Sequence, residues 1–350
     1  MNESVRAVEG DRWVVVGLDN GGNANNATVL DSAGTFLVEG LLESPSRVKE
    51  GPAVAVEALS EAFDNVLVQT GVPRAAVRSV GLDTPGPASA TGVISAKGST
   101  NFVDPAWRGF DVRTALEERI GFPVVYNNDG NAAALYAHHV HFGLMGPSRS
   151  SVSAIVGTGL GGGVIESGRI VSGAAGMAGE LGHVHIPMRG LLDDDQPIPD
   201  CNCGFDGDAE SVASLTGIER NLLPYWLAKN PDHPLHRETD PATAAKLVRG
   251  LGEAGDPLAR KIFAQQAAAI GRLFTIAANF TDPDAYFVGG GVVQASAAFG
   301  QWFLEQVERN TRLRDEQRQV ATFALVPDLD MAGARGAALA ARQSVPRGTT

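Results

Sequence analysis

The stretch WVVVGLDNGGN, residues 13–23, governs how the rest of this chain is interpreted. Its first part is an unbroken apolar run that ends at Asp19, which is typical of a buried strand bounded by turn residues. Residues 20–23 supply a glycine-rich turn, and residues 27–30 predict the return strand of a hairpin. A strand, a glycine turn and a second strand therefore open the chain.

The same order of elements recurs further along. Residues 153–156 predict a strand, the run GTGLGGG at 157–163 predicts a turn, and residues 164–165 resume a strand. Residues 286–288 predict another buried strand, which runs into three consecutive glycines. Three such turns after three buried strands favour a repeated structural plan.

Helices alternate with these strands. Apolar residues at helical spacing predict helices over 53–70, 112–120, 132–138, 209–222, 242–251, 257–280 and 332–342, and further strands over 77–82 and 124–126. Alternation of this kind indicates the α/β class. We expect two similar α/β domains facing each other across a cleft, a small one over 13–130 and a larger one over 131–331, after a flexible arm at 1–12.

Composition and charge exclude several classes of partner. The formal net charge is −12 at pH 7, whereas proteins that grip nucleic acid or an anionic membrane usually carry positive charge. No apolar run approaches the roughly 18 residues of a membrane-spanning helix. Residues 1–13 lack the apolar core of a signal peptide. We therefore expect a cytoplasmic protein without a disulfide framework.

The glycine turns suit the binding of phosphate. Glycines let backbone N–H groups approach a phosphate without a Cβ clash, and Asp19 at a strand end could hold Mg²⁺ through water. The second turn offers the Thr158 hydroxyl, and it is not a dinucleotide fingerprint because a strand follows it rather than a helix. The glycines at 289–291 suit packing against an adenine ring. A plain hairpin turn is the alternative for each.

Asn128 and Asp129 stand between a predicted strand and a predicted helix. One interpretation is a helix N-cap, for which both residue types are preferred. The other is a general base at a strand end with an amide beside it to fix a hydroxyl, which is most of what phosphoryl transfer asks of protein groups.

A third group carries nitrogen, sulfur and oxygen ligands. His183 is followed by Cys201, Cys203 and Asp208, and structural zinc takes four ligands of these types. An ordinary buried cysteine pair is the alternative, and His183 favours the metal.

Taken together, these motifs resemble the ROK family, named from repressors, open reading frames and kinases, from about Val14 to Ala341. The segments that carry the resemblance are Asp19-Asn20-Gly21-Gly22, Asp83-Thr84-Pro85-Gly86-Pro87, Asn128-Asp129-Gly130-Asn131-Ala132-Ala133, Gly157-Thr158-Gly159, Glu180-Leu181-Gly182-His183, Cys201-Asn202-Cys203-Gly204 with Gly207 and Glu210, and Gly289-Gly290-Gly291.

The resemblance implies an actin-like (ribonuclease H-like) two-domain sugar kinase whose small domain is completed by the last helix, about 332–345. It implies Asp129 as the general base, with the sugar held by Asn101, Asn128, Asp129, Glu180, His183 and Glu210. ATP would be bound by Asp19, Gly21, Gly22, Asn23, Gly157, Thr158, Gly159, Gly289, Gly290 and Gly291. It implies Mg²⁺ near Asp19 and zinc on His183, Cys201, Cys203 and Asp208. The expected partners are a small sugar and ATP, and a homodimer is expected.

Three departures from the family pattern stand out. The first phosphate motif usually continues Thr-Lys, whereas here it is Asn23-Ala24, so one charge is missing. Asp208 replaces a third zinc cysteine. The interval between His183 and Cys201 is long and contains an acidic run at 193–195, for which a solvated surface loop is the expected structure.

The sequence thus predicts ATP-dependent phosphorylation of a hexose at its 6-hydroxyl, of glucokinase type. Because Glu180 and Glu210 put two carboxylates in the predicted pocket, an amino-sugar 6-kinase of glucosamine or kanosamine type is the alternative. A non-catalytic sugar binder is suggested by Asn23-Ala24 and opposed by Asp129. A sugar-sensing regulator would need a DNA-binding module before residue 13 and the opposite net charge. The sequence leaves open ATP or polyphosphate as donor.

Overall fold

The computed structural model describes residues 13–86, 88–95, 102–326 and 328–346. The described chain divides into two compact units. One contains the described residues of Met1–Val140, Ile170–Ala178 and Asp328–Thr350, and the other contains His141–Arg169 and Gly179–Pro327. The predicted α/β class is confirmed, since each unit contains a five-stranded mixed sheet with helices.

The strands of the first unit are β1 (Val14–Asn20), β2 (Ala24–Asp31), β3 (Glu43–Pro45), β4 (Val77–Thr84) and β5 (Val124–Asn128), in the sheet order β3-β2-β1-β4-β5. Its helices are α1 (Pro52–Thr70), α2 (Val112–Ile120), α3 (Asp129–Phe142), whose last two residues belong to the other unit, and the C-terminal helix Leu329–Ser344. The hairpin β1–β2 is antiparallel, whereas β4 and β5 continue the sheet in parallel.

The C-terminal helix packs directly on the first sheet because both surfaces carry small residues. A Cβ on Gly17 would lie 2.0 Å from the Ala334 carbonyl oxygen, and a Cβ on Gly81 would lie 1.9 Å from that of Ala337. Glycine is therefore required in β1 and β4 for this close approach. The contact brings the last helix into the unit that holds the N-terminal strands.

The second unit contains β6 (Ser151–Val156), β7 (Leu160–Glu166), β8 (Arg169–Ile170), β9 (Ala285–Gly290) and β10 (Thr322–Leu325), in the sheet order β10-β9-β6-β7-β8. The last residue of β8 belongs to the first unit. The helices are α4 (Glu210–Ala213), α5 (Leu215–Gly217), α6 (Leu223–Ala228), α7 (Pro241–Glu253), α8 (Pro257–Thr281), α9 (Ala297–Asn310) and α10 (Asp315–Val320); the C-terminal helix Leu329–Ser344 is α11.

Several predictions about these elements are wrong. Gly161–Gly163 and Gly289–Gly290 lie within β7 and β9 rather than in turns, because glycine still pairs its backbone in a strand. The helix predicted over 209–222 is broken at Ser214, whose side chain accepts a hydrogen bond from Gly217 N–H and restarts the helix. Helix α9 was not predicted, although Phe299, Phe303 and Val307 recur at helical spacing and are buried.

Among the described residues, none of the helices combines the length and the apolar character that crossing a bilayer requires.

Candidate functional site

Three acidic residues come together at the carboxyl end of the first sheet. Asp19 and Asp83 are register partners on the parallel strands β1 and β4, and Asp83 is opposite Asn127 on β5. Asp129 begins α3 immediately after β5 and lies close enough to repel the Asp83 carboxylate. A parallel sheet gathers its strand ends at one edge, which explains why residues far apart in sequence meet here.

Asp83 is the most constrained of the three. It is fully buried, and within the described residues no donor from outside the pair with Asp19 reaches its carboxylate oxygens. A Cβ on Gly333 would lie 2.9 Å from Asp19 Oδ2 and 3.0 Å from Asp83 Oδ2, so both carboxylates converge on one point beside α11. Burial, followed by the charge of Asp19, raises the pKa of Asp83 well above its ordinary value. Burial also raises the pKa of Asp19.

Asn128 and Asp129 occupy different positions at the start of α3, so the helix N-cap interpretation applies to only one of them. Asn128 is the N-cap of α3, since its side-chain oxygen accepts a hydrogen bond of 2.7 Å from Asn131 N–H. Asp129 is the first residue of the helix, and its Oδ1 accepts a 2.7 Å hydrogen bond from Gly130 N–H. The amide thus caps the helix, and the carboxylate beside it is held in one orientation.

The first glycine turn is a tight hairpin. Gly21 N–H donates to the Ala24 carbonyl oxygen at 2.9 Å, and a Cβ on Gly21 would lie 2.8 Å from that oxygen. Asn23 belongs to this turn, and its side-chain oxygen accepts a 3.0 Å hydrogen bond from Lys49 Nζ. Asn101 and Pro87, which the sequence analysis also singled out, lie outside the described residues.

The second glycine turn borders a cavity of about 360 Å³ in the second unit. Gly157 and Thr158 lie at its edge, and their carbonyl oxygens accept hydrogen bonds from Leu215 and Thr216 N–H at 3.0 and 3.1 Å. Gly291 also lines the cavity, so two of the predicted nucleotide motifs meet there. Its other lining residues are Val156, Leu215, Ile218, Ala245, Lys246, Arg249, Phe263, Gln266 and Val292.

Sequence reasoning missed most of this lining. Leu215 and Ile218 follow the helix break at Ser214, and Ala245, Lys246 and Arg249 come from α7, which carries no glycine motif. One signal was available, since helical spacing on α7 puts Ala245 and Arg249 on one face. Their meeting with the Gly157 turn depends on the tertiary fold.

The predicted zinc ligands form one cluster. The ligand atoms of His183, Cys201, Cys203 and Asp208 all lie within 4.8 Å of one another. His183 Nδ1 is 3.2 Å from Asp208 Oδ2, Cys203 Sγ is 3.5 Å from the same oxygen, and Cys201 Sγ is 3.9 Å from His183 Nδ1. Backbone hydrogen bonds between residues 184–186 and 207–209, 3.0 and 3.2 Å long, bring these segments together.

Electrostatics ties the cluster together. The hydrogen bond to Asp208 raises the pKa of His183 to about 9. Burial alone would raise the pKa of Asp208, but hydrogen bonds from His183 and its neighbours hold it below its ordinary value. Burial raises the pKa of the Cys201 thiol. These groups favour a bound cation, either a proton or a metal.

Glu210, a predicted sugar ligand, has protein partners of its own. Its Oε2 accepts a 2.8 Å hydrogen bond from Leu160 N–H, and its Oε1 is 3.5 Å from Cys201 Sγ. It therefore joins the start of β7 to the metal-type cluster. Glu180 precedes the short 3₁₀ turn Leu181–His183, and its carbonyl oxygen accepts from His183 N–H at 3.2 Å.

The acidic run at 193–195 is exposed, as expected for a solvated surface loop, and hydrogen bonds also attach it to the second unit. Asp195 accepts hydrogen bonds of 2.7 Å from both Lys229 Nζ and Tyr225 Oη, and Asp193 accepts one of 3.1 Å from Tyr225 Oη.

Comparison with known proteins accounts for this set of motifs. The family model described as ROK family matches residues 15–344. This chain belongs to the ROK family. A glucokinase of Halalkalibacterium halodurans is 31% identical over 288 residues, which are 81% of this chain and 82% of that protein.

Two solved structures share the fold. The ROK hexokinase from Thermus thermophilus has a TM-score of 0.72 and 31% identity, and the match covers 95% of this chain and 98% of that one. A ROK family glucokinase from Streptomyces griseus, solved in complex with glucose and AMPPNP, has a TM-score of 0.69 and 26% identity, covering 95% of this chain and 100% of that one. The predicted actin-like sugar kinase fold is confirmed.

Proposed function

We propose that this chain transfers the γ-phosphoryl group of ATP to the 6-hydroxyl of a hexose, and that glucose is the preferred sugar. The observation that carries the proposal is the carboxylate of Asp129, fixed at the start of α3 beside two further acids in a chain of the ROK family. The relatives reported above are sugar kinases, and the structure of one of them was solved with glucose and AMPPNP.

In this proposal Asp129 is the general base. As the 6-hydroxyl attacks the γ-phosphorus, its proton passes to the Asp129 carboxylate, the bond to the β-phosphate oxygen breaks, and ADP leaves. Proton transfer to a positioned base contributes about 10²–10⁴ in rate. The Gly130 N–H bond to Oδ1 supports this role because it fixes the orientation of the carboxylate.

ATP is the proposed donor rather than polyphosphate. The cavity beside Gly157 and Thr158 is lined by apolar side chains that suit a purine ring, together with two cations, Lys246 and Arg249. Polyphosphate has no apolar part that could pack against this apolar lining. The turn residues Gly157–Gly159 would meet the phosphates, and Gly291 the base.

Residues Asp19 and Asp83 suit a divalent cation, which would neutralise charge on the donor phosphates. Hard cations such as Mg²⁺ bind carboxylate oxygens and water, and the two Asp83 oxygens are buried with no described donor from outside the pair with Asp19. Asp19 was predicted from sequence, whereas Asp83 enters through its register with Asp19 on β4.

The cluster of His183, Cys201, Cys203 and Asp208 fits zinc. With zinc–ligand bonds of about 2.0–2.3 Å, tetrahedral ligand atoms lie about 3.3–3.8 Å apart. The distances of 3.2, 3.5 and 3.9 Å are close to that spacing, and all four ligand atoms lie within 4.8 Å of one another. We propose a structural site in which Asp208 supplies the fourth ligand. His183 uses Nδ1 in the cluster, which leaves Nε2 for a sugar hydroxyl.

Glucose is favoured over an amino sugar because one of the two predicted carboxylates has protein partners. Glu210 accepts from Leu160 N–H and contacts Cys201, so its charge is engaged within the second unit. A carboxylate facing a free ammonium would contribute about 1.5–3 kcal/mol to binding of the amino sugar. That gain requires a carboxylate without such partners.

The test is a coupled ADP-release assay over hexoses and amino sugars. We expect kcat/KM for glucosamine divided by kcat/KM for glucose to be well below one in the wild type, in Glu180→Gln and in Glu210→Gln. A wild-type ratio above one that collapses in either variant would overturn the choice of glucose and establish an amino-sugar kinase.

A further inference from the structure

The first glycine turn lies in a part of the chain that has no positive charge of its own. Residues 13–46 contain no lysine or arginine, and they contain four acids, Asp19, Asp31, Glu39 and Glu43. A donor with several phosphate charges would meet neutral hydrogen-bond donors and acids from this segment, but no cation. A cation supplied from elsewhere in the first unit would remove that conflict.

The chain returns to the turn immediately after this segment. Strand β3 pairs antiparallel with the start of β2, so that Pro45 is opposite Ala24. The next residue, Ser46, is buried and donates its N–H to the Asn23 carbonyl oxygen at 3.0 Å. The segment that follows β3 is therefore bound to the side of the glycine turn.

A sharp reversal then brings a lysine over the turn. Arg47 has a φ of 55°, in the left-handed region that side chains other than glycine seldom adopt. The 3₁₀ turn Val48–Glu50 follows, and Gly51 ends it with a φ of 101°. As a result Lys49 Nζ lies 3.0 Å from Asn23 Oδ1, across 26 positions of sequence.

The reversal is anchored in the core of the unit. Val48 is 1% exposed, and its carbonyl oxygen accepts a 2.9 Å hydrogen bond from the indole N–H of Trp107, which is also 1% exposed. A buried anchor of this kind holds the position of the backbone, so Lys49 starts from a fixed Cα rather than from a mobile loop.

The charge on Lys49 is not neutralised by its neighbours. Glu50, the nearest acid in sequence, pairs with Arg47 at 3.1 Å. In the part of the chain that the structure describes, no carboxylate lies within ion-pair distance of Lys49 Nζ, and Asn23 is its one hydrogen-bond partner. A lysine ammonium has three donors, so two remain for another acceptor at the turn.

We propose that Lys49 is a phosphate-binding residue for the donor nucleotide, positioned by Asn23, and that it supplies the positive charge missing from the first glycine turn. This inference rests on the proposed kinase function. In this proposal the side-chain oxygen of Asn23 holds the Lys49 ammonium, and the side-chain NH₂ of Asn23 donates to the same phosphate. The ligand chemistry is that of an ATP or ADP phosphate oxygen.

The experiment compares Lys49→Ala with one control variant, Arg78→Gln, and then with two variants that restore a cation. Lys49→Ala is expected to lower kcat/KM for ATP and the calorimetric affinity for ATP about ten- to a hundredfold, since a hydrogen bond to a charged group contributes about 1.5–3 kcal/mol. The KM for glucose should stay within about twofold. Arg78→Gln removes an exposed cation from β4 of the same unit, away from the reversal at 46–51, and it should change neither quantity by more than about twofold.

A rescue separates charge from folding. Adding Ala24→Lys to Lys49→Ala puts a lysine back beside Asn23 by another route, and most of the lost ATP affinity should return. Lys49→Arg should also retain it. An affinity for ATP in Lys49→Ala within about twofold of the wild type, or a double variant no better than the single one, would overturn the proposal.

Failure of the kinase assignment would look different. A wild type that binds ATP but releases no ADP with any sugar would overturn the proposed function, whereas the binding measurements on the same variants would still decide the role of Lys49. A wild type that binds no ATP would overturn both.

Discussion

The two sheets are built on one plan but end in different chemistry. Each has an antiparallel hairpin at its centre and two parallel strands beside it, in the orders β3-β2-β1-β4-β5 and β8-β7-β6-β9-β10. Asp19 and Asp83 lie near strand ends of the first sheet, and Asp129 follows directly after β5. The strand ends of the second sheet border a largely apolar cavity next to Thr158 and Gly291. Under the proposed function, one plan would thus serve proton transfer and Mg²⁺ binding in the first unit and recognition of the adenine ring in the second.

The largest effect should follow from a change in the acidic set. Asp129→Asn is expected to lower kcat by about a thousandfold, since a general base contributes about 10²–10⁴, while the affinities for glucose and ATP stay within about threefold. The readouts are ADP release and calorimetry, with the melting temperature as the check on folding. Turnover above a tenth of the wild-type value would show that Asp129 is only the first residue of α3 and not the general base.

A change at the second sheet should affect ATP alone. Gly291→Leu adds a side chain at the cavity, where a Cβ would lie 3.7 Å from Arg249 Nη1. Because the leucine would occupy space in the cavity and reduce the apolar area that bound ATP can bury, we expect KM for ATP to rise about tenfold. KM for glucose should not change. The matched control is Gly250→Leu, since a Cβ there meets nothing within 4 Å. Equal effects of the two substitutions on KM for ATP would show that the cavity does not bind ATP.

The metal-type cluster sharpens the comparison because it lies in the second unit only. Protein purified without chelator should contain about one zinc per chain, and Asp208→Cys should bind it more tightly. Asp206→Asn, on the same loop but outside the cluster, should change nothing. In the metal-free protein the pKa of His183 is raised to about 9, so zinc must displace a proton there, and zinc affinity should fall as the pH falls.

Titration of zinc against a chelator at pH 6, 7 and 8 measures this dependence. Protein that is free of metal and fully active would mean that Cys201 and Cys203 are ordinary loop residues.

The smallest effect concerns the stability of the first unit. The folded-state pKa of Asp83 is raised, so the folded chain holds its proton to higher pH than the unfolded chain, and the free energy of unfolding falls as the pH rises above about 4. Asp83→Asn removes this loss and lets an amide donate to Asp19. We expect a gain of about 1–3 kcal/mol at pH 8 and a smaller gain at pH 4.

Urea denaturation in the presence of a chelator measures the gain. Asp64→Asn, at an exposed carboxylate paired with Arg74, is the control and should stay within about 0.5 kcal/mol. A gain that is equal at both pH values would contradict the assignment to Asp83.

The sequence predicted individual helices better than it predicted whether a glycine-rich segment forms a turn or a strand. Helix α2 has the predicted bounds Val112–Ile120, because Asp111 caps its start and Gly121, with a φ of 74°, ends it. The glycine runs were harder, since a glycine in β7 and a glycine in a turn look the same in sequence. Gly162 lies in the strand, where a Cβ would come within 2.4 Å of the Ser153 carbonyl oxygen.

The candidate site was predictable where a motif is local and not where it is assembled. Asp129 stands out by its place between a strand and a helix, and its proposed role as the general base comes from the resemblance to the ROK family. Asp83 acquires its meaning only through its register with Asp19, and Lys49 only through the left-handed turn at Arg47. Tertiary pairing of this kind leaves no period or spacing in the sequence.

The account is tested most directly by following ATP and glucose with the wild-type protein in one ³¹P NMR experiment. We expect the γ-phosphate signal to disappear only when glucose is present, and glucose 6-phosphate and ADP to appear in equal amounts. Release of inorganic phosphate at the same rate with and without glucose, or no loss of the γ-phosphate signal with any hexose, would contradict the assignment of this chain as a hexose kinase.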